Sequence, residues 1–208
     1  MKIYTLNLGE LQSNCYVAET SPGRCIAIDI GNDADVLLSL LEEKKLKLNK
    51  ILLTHGHFDH IGGVADVVKQ TNAQVFIHTD DAYMLKSAEA SLANSISDSP
   101  FKPVENYVGV YGDCIINDGK YDFKVIHTPG HTPGGVCYVC DDVIFSGDTL
   151  FRLSIGRTDF KGGSFDALQN SLIRLFALDG DYKIYPGHGL PTTLDFERKN
   201  NPYSSPIN

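Results

Sequence analysis

The chain has 208 residues, 42% of them hydrophobic and 21% charged, with 19 Gly and 9 Pro. That composition is too apolar for a disordered chain and too varied for a fibre. A formal net charge of −8 argues against a general nucleic-acid binder and against a membrane-surface protein, both of which rely on clustered Lys and Arg.

The first elements are short strands at residues 3–7 and 15–18, then one at 25–30 with alternating apolar side chains. Residues 1–16 lack the unbroken apolar run of a signal peptide, and nowhere does an apolar stretch approach the roughly 20 residues of a membrane helix. Gly31-Asn32-Asp33 ends the third strand, and Asp33 or Asp35 is placed to cap a helix running to about residue 45. Residues 51–53 form a buried strand that enters a His-rich loop, followed by a helix over 61–70 and a strand over 74–78. Residues 88–103, rich in Ser, Asn, Asp and Pro, read as a long surface loop or lid. Strands return at 107–111, 122–126, 136–139 and 143–145. A helix over 165–177 carries an apolar stripe of Phe165, Leu168, Leu172, Leu175 and Phe176. A strand at 182–185 and a short helix near 193–199 complete the chain. No linker or repeat divides residues 1–208, so one domain is expected, with two sheets covered outside by helices. The five Cys are odd in number and scattered through apolar runs. They read as reduced core thiols, which points to the cytoplasm.

The chemistry concentrates in Thr54-His55-Gly56-His57-Phe58-Asp59-His60, where three imidazoles and a carboxylate fall within six residues. Imidazole nitrogen and carboxylate oxygen suit a borderline divalent ion such as zinc. His55 and His57 are two apart, so in an extended segment they project the same way and can grip one ion. Asp59 and His60, where the chain turns into a helix, can face a second position. Packing three imidazoles here for structure alone would cost desolvation without benefit, so the cluster reads as a metal site. Three further turns place His or Asp on a Gly-containing loop after an apolar run: His127-Thr128-Pro129-Gly130-His131, Phe145-Ser146-Gly147-Asp148-Thr149 and Tyr185-Pro186-Gly187-His188-Gly189.

His-X-His-X-Asp-His followed by distant His131, Asp148 and His188 is similar to the metallo-β-lactamase superfamily. The resemblance spans nearly the whole chain, from Asn14-Cys15-Tyr16 to Glu197-Arg198-Lys199-Asn200-Asn201-Pro202. Through Ser154-Ile155-Gly156-Arg157-Thr158-Asp159-Phe160 and Pro186-Gly187-His188-Gly189 it looks like the glyoxalase II (hydroxyacylglutathione hydrolase) group, in particular its short bacterial members. The resemblance implies an α+β fold, a four-layer αββα sandwich with metals at one edge of the sheets. It implies that His55, His57 and His131 hold a first divalent ion. Asp59, His60 and His188 would hold a second, with Asp148 bridging. Zinc is the expected metal; iron and manganese accept the same ligands.

The implied reaction is metal-dependent hydrolysis of a small acyl thioester, with hydroxide between the metals attacking the acyl carbonyl and Asp59 and Asp148 as catalytic carboxylates. A thiolate, with a parent pKa of roughly 8.5, departs without a strong acid. Class B β-lactamases typically carry Cys at the position of Asp148, which argues against penicillin hydrolysis, and the tRNA-processing nucleases need extra binding modules. Diiron flavoproteins replace the second motif His with Glu, whereas His57 is present here. Full-length glyoxalase II has a C-terminal helical domain with basic glutathione-binding residues, and this chain stops about twenty residues after His188. Arg157 and Lys161 are the cations placed to meet an anionic substrate group. The alternative is a mononuclear iron persulfide dioxygenase using His55, His131 and Asp148, although that branch tends to have Pro-Ala-His-Asp at the last motif. Outside the ligand set, His78 reads as a strand-end surface residue and His127 as a support bonded within its turn. Glu197 with Arg198 reads as a structural ion pair. Cys137 and Cys140, on opposite strand faces, do not read as a functional pair. Gly62-Gly63 reads as a close-packing joint.

Overall fold

The computed structural model describes residues 1–204. Its first half supplies β1 (Lys2–Leu8), β2 (Ser13–Ser21), β3 (Arg24–Ile28), β4 (Lys47–Leu52), β5 (Gln74–His78) and β6 (Val108–Val110), joined in one sheet in that order. β1, β2 and β3 pair antiparallel, and β3 to β6 are parallel. Parallel neighbours need crossovers, provided by α1 (Ala34–Lys44), then by α2 (Phe58–Ile61) with α3 (Val64–Thr71), then by a segment holding a 3-10 turn at Ala82–Lys86 and α4 (Ala93–Ile96). The second half gives β7 (Ile115–Asp118), β8 (Tyr121–His127), β9 (Val136–Cys140), β10 (Val143–Gly147), β13 (Lys183–Pro186) and β14 (Thr192–Thr193), paired in the order β14-β13-β10-β9-β8-β7. A two-stranded ribbon, β11 (Leu150–Phe151) with β12 (Ser154–Ile155), and the helices α5 (Phe165–Phe176) and α6 (Leu194–Asn200) complete it.

Strand alternation sorts the apolar residues into layers. Along β3, Cys25 and Ala27 face α1 and α3, while Ile26 and Ile28 face the other sheet. Along β9, Tyr138 and Cys140 join the inter-sheet core and Cys137 turns to α5. Ile144 of β10 packs outward with Leu168, Leu172 and Leu175 of α5, while Phe145 packs inward. These strands are covered on both faces, so their sequences run apolar almost without interruption. The result is the αββα sandwich. Each large side chain so buried contributes roughly 1.5–3 kcal/mol, and the buried tyrosines also satisfy their hydroxyls. Tyr138 donates to Leu53 O at 2.7 Å and Tyr16 to Pro186 O at 2.6 Å, each bond crossing between the sheets.

Several local expectations change. The helix expected over 61–70 is two helices, broken at Gly62-Gly63, because this joint lies against the end of β3: a Cβ on Gly63 would sit 2.3 Å from Gly31 O. Neither Asp33 nor Asp35 caps α1 by side chain; Asp33 stands at the N-cap position, but its carboxylate accepts from Gly9 N at 2.9 Å. Ser164 and Thr193 do cap α5 and α6. On α5, Phe165 lies outside the buried stripe. β7 and the two-residue strands β11, β12 and β14 were not anticipated. Among the described residues all five cysteines are free, and no helix is long and apolar enough to cross a membrane.

Candidate metal centre

Four strands deliver the seven residues to one end of the sandwich. Beyond β4 the chain stays extended through His55 and His57, with His57 as the N-cap of α2, whose first turn carries Asp59 and His60. His131 follows β8, Asp148 follows β10 and His188 follows β13. His55, His57, His60 and His131 are buried, while Asp59, Asp148 and His188 are half-buried and face a cleft. The donor atoms of His55, His57 and His131 all lie within 4.8 Å of one another, as do those of Asp59, His60 and His188. Asp148 lies between the groups, with Oδ2 3.5 Å from His131 Nε2 and Oδ1 3.4 Å from His60 Nε2. Asp59 Oδ2 lies 3.0 Å from His188 Nε2.

Proton placement shows what these atoms are free to do. His60 Nδ1 donates to Asp29 Oδ2 at 2.8 Å, and His131 Nδ1 donates to Arg157 O at 2.7 Å. Thr54 Oγ1 gives its single hydrogen to Asp29 at 2.6 Å, so at 3.1 Å it accepts from His55 Nδ1. The Nε2 atoms of His55 and His60 are therefore left as lone pairs aimed at the centre, while His131 Nε2 lies 2.9 Å from His57 Nδ1. His55 Nε2 and His60 Nε2, together with Asp148 Oδ1, are buried without a hydrogen-bond partner. Orphaned polar atoms of this kind are costly unless something occupies them, and oriented imidazole–carboxylate pairs are how proteins present metal ligands. The donor set fits divalent metal.

The electrostatics agree. Burial holds the His55 imidazole well below its ordinary range and pushes His57 down to about 3, so both stay neutral as ligands must. Burial works against charge at His60 too, yet Asp59, Asp148 and Asp29 together raise it well above its usual value, so this spot attracts a cation. Burial likewise opposes ionisation of Asp148, but His60, His131 and His55 hold its carboxyl well below the normal carboxylate range.

Two aspartates that the sequence reading missed shape the centre. Asp29, 2% exposed, closes β3 in the left-handed region at φ 54 and also accepts from Thr54 N at 2.7 Å. An acid closing an otherwise buried strand was the available signal. Asp81, fully buried, accepts from Gly56 N at 3.1 Å and from Gly134 N at 2.6 Å, tying the His55–His57 loop to the turn beyond His131. Nothing in the Thr79-Asp80-Asp81 sequence distinguishes it from a surface acid. Gly187 is required by close approach: a Cβ there would lie 2.1 Å from Asp148 Oδ1 and 2.7 Å from His60 Cε1.

The remaining polar residues divide. His78 is 4% exposed, not a surface residue, because its ring stacks on His127 at 4.1 Å with 10° between planes. In-plane lone pairs of parallel rings do not converge, so this pair with Asp80 is packing rather than a chelate. His127 supports its turn as expected, through Nε2 to Pro133 O at 2.9 Å. Glu197 and Arg198 do not pair. Buried Glu197 accepts from Leu153 N, Thr192 Oγ1 and Asn201 Nδ2, and Arg198 binds Asp195 and the carbonyls of Phe176, Leu178 and Gly180. The centre opens on a cleft of about 680 Å³. Leu92 and Ser95 line it, so the 88–103 segment forms one wall. Arg157 also lines the cleft, while Lys161 lines a smaller adjoining pocket.

A family model described as the metallo-beta-lactamase superfamily matches residues 8–188. The chain belongs to that superfamily. It is thus a member of a metallo-hydrolase family whose fold binds divalent metal at a His and Asp cluster of the kind found here. A protein of Haemophilus influenzae named hydroxyacylglutathione hydrolase GloC is 32% identical over 209 residues, covering 98% of each chain. Among solved structures, the B3 metallo-beta-lactamase BLEG-1 superposes with TM-score 0.93 at 33% identity, covering 99% of this chain and 100% of its own. TTHA1623 in a di-iron-bound form gives TM-score 0.86 at 36% identity, covering 96% and 99%.

Proposed function

We propose that this superfamily member is a thioesterase with two divalent ions, zinc in the first place, acting on small acyl thioesters. The observation that carries it is the pair of ligand triads sharing Asp148, with buried Nε2 and Oδ1 atoms left unpaired. His55, His57 and His131 would hold one ion, and Asp59, His60 and His188 the other. A mononuclear centre of His55, His131 and Asp148 would leave the second triad without a role. The di-iron neighbour supports a capacity for two ions. Two such ions supply a nucleophile from water at neutral pH and polarise a carbonyl oxygen.

The chain's own residues set the rest. Asp29, Thr54 and Arg157 O fix the imidazoles by holding their distal N–H groups, and Asp59 presents a carboxylate to the cleft. The described cleft lining contains no Lys, Tyr or Cys to protonate a poor leaving group. A thiolate, whose conjugate acid has a pKa of roughly 8.5, leaves without that help, whereas an amine does not. The relative named hydroxyacylglutathione hydrolase supports the same class.

The test is hydrolysis by zinc-loaded protein of S-D-lactoylglutathione and of an acyl N-acetylcysteamine thioester, followed by loss of thioester absorbance. Benzylpenicillin hydrolysis and oxygen uptake with glutathione persulfide run beside them. The expected kcat/KM is on the order of 10⁴ M⁻¹s⁻¹ or better for at least one thioester, well above either competing activity. Rapid β-lactam turnover or oxygen uptake with inert thioesters would overturn the proposal.

A further inference from the structure

Outside the metal ligands, the cleft wall is apolar. Leu11, Leu92, Phe151, Ile155 and Phe160 line it, with Ser95 and Ser154 as its uncharged polar members. Leu11 is 50% exposed, a large apolar side chain facing solvent at the site. Leu92 sits at φ 64, in the left-handed region that a Leu rarely adopts, and this conformation accompanies its place in both the cleft and the adjoining pocket.

Apart from its imidazoles, the cleft lining carries little cationic charge. Arg157, the one cation among the described lining residues, is forked onto Asp159 by bonds of 2.7 and 2.6 Å and lies 4.0 Å over the Phe160 ring. Asp159 offsets part of the charge that an anionic substrate would meet, in a pair whose side chains are 58% and 65% exposed. Lys161 lines the smaller pocket of about 200 Å³, where Glu89 lies with it.

We infer that the cleft selects thioesters with an aliphatic or aromatic acyl group on an uncharged thiol carrier, in preference to a small hydroxyacyl ester of a carboxylate-bearing thiol. This deepens the thioesterase reading and rests on it. Arg157 is paired with Asp159 at the exposed rim, and Lys161 lines the adjoining pocket rather than the cleft. An apolar pocket discriminates by roughly 10-fold or more for each methylene it buries, so the acyl group dominates selection.

The experiment crosses two acyl groups with two carriers: D-lactoyl and hexanoyl, each on glutathione and on N-acetylcysteamine, hydrolysed by the zinc-loaded full chain. The hexanoyl ester is expected to exceed the lactoyl ester in kcat/KM by at least about tenfold on either carrier. N-acetylcysteamine is expected to match or exceed glutathione. Phe151→Ala should lower the hexanoyl-to-lactoyl ratio. Calorimetry with S-hexyl-N-acetylcysteamine and S-methylglutathione reads binding without turnover, and the hexyl thioether should bind about tenfold tighter or more. A lactoyl or glutathione preference, or equal thioether binding, overturns the inference while leaving the thioesterase intact. Failure to hydrolyse any of the four esters overturns the thioesterase reading itself.

Discussion

Asp81 shows how much one side chain can organise. It comes from the first half of the chain, yet its two oxygens hold backbone N–H groups of both halves, Gly56 before His57 and Gly134 after His131. Burial pushes its carboxyl up from the usual value, and the two backbone bonds pull the other way. Each N–H left unpaired in a buried site costs about 1–3 kcal/mol. Asp81→Ala is therefore expected to lower the stability of metal-free protein by about 2–5 kcal/mol. Asp81→Asn, which keeps one acceptor, should fall between. Urea unfolding checks this, and an Asp81→Ala midpoint equal to wild type would remove the residue from the scaffold of the site. The sequence analysis passed over both Asp81 and Asp29, and although an acid closing a buried strand was a signal for Asp29, the partners of both lie far along the chain. Asp29 reaches Thr54 and His60, and Asp81 reaches Gly134. The candidate centre residues stood out in the sequence because they cluster in the His55–His60 motif or on Gly-containing turns after apolar strands, where local spacing is visible.

At the scale of elements, the two sheets are fastened at both ends. The metal loops lie at one end. Away from them, Asp118 of β7 accepts from Lys50 of β4 and from Thr20 of β2, both at 2.5 Å. Burial disfavours the Asp118 charge, but Lys50 and Thr20 outweigh it and hold the carboxyl below the usual range. A carboxylate whose folded pKa is depressed stabilises the fold above its unfolded pKa of about 3.9 and loses that contribution as pH falls through the folded value. Lys50 keeps about a fifth of its side chain exposed, which softens the penalty of about 3–5 kcal/mol for breaking a buried pair. Asp118→Asn should cost about 1–3 kcal/mol at pH 7, and its deficit should shrink as the pH falls below about 4. Chemical denaturation across that range checks it; a deficit independent of pH would show that the carboxylate charge is not what fastens the sheets. The helix α5 was readable from its apolar stripe, and α1 from the Gly31-Asn32-Asp33 break before it. β11, β12 and β14, of two residues each, carry no periodicity, and the α2–α3 break follows from contact with Gly31 rather than from local sequence.

Across the whole molecule, the order of strands and helices in the two halves pointed to two sheets covered outside by helices, and the resemblance to the metallo-β-lactamase superfamily implied the four-layer αββα arrangement. The character of the cleft was less visible. Arg157 and Asp159 are two residues apart, but only the folded ribbon and the loop after it set them as a closed pair beside Phe160. Sequence alone left Arg157 between an anion contact and a surface salt bridge; the fold pairs it with Asp159 at the exposed rim. The centre joins residues of both sheets, so Asp148, which lies between the triads, bears on the whole arrangement.

The most direct measurement is the divalent metal content of purified, reconstituted full-length protein by inductively coupled plasma mass spectrometry, for wild type and Asp148→Ala. Two ions per chain in wild type, with at least one lost in Asp148→Ala alongside nearly all turnover, is the predicted result. One ion at most in wild type, or two ions with retained turnover in Asp148→Ala, would contradict the shared-carboxylate centre.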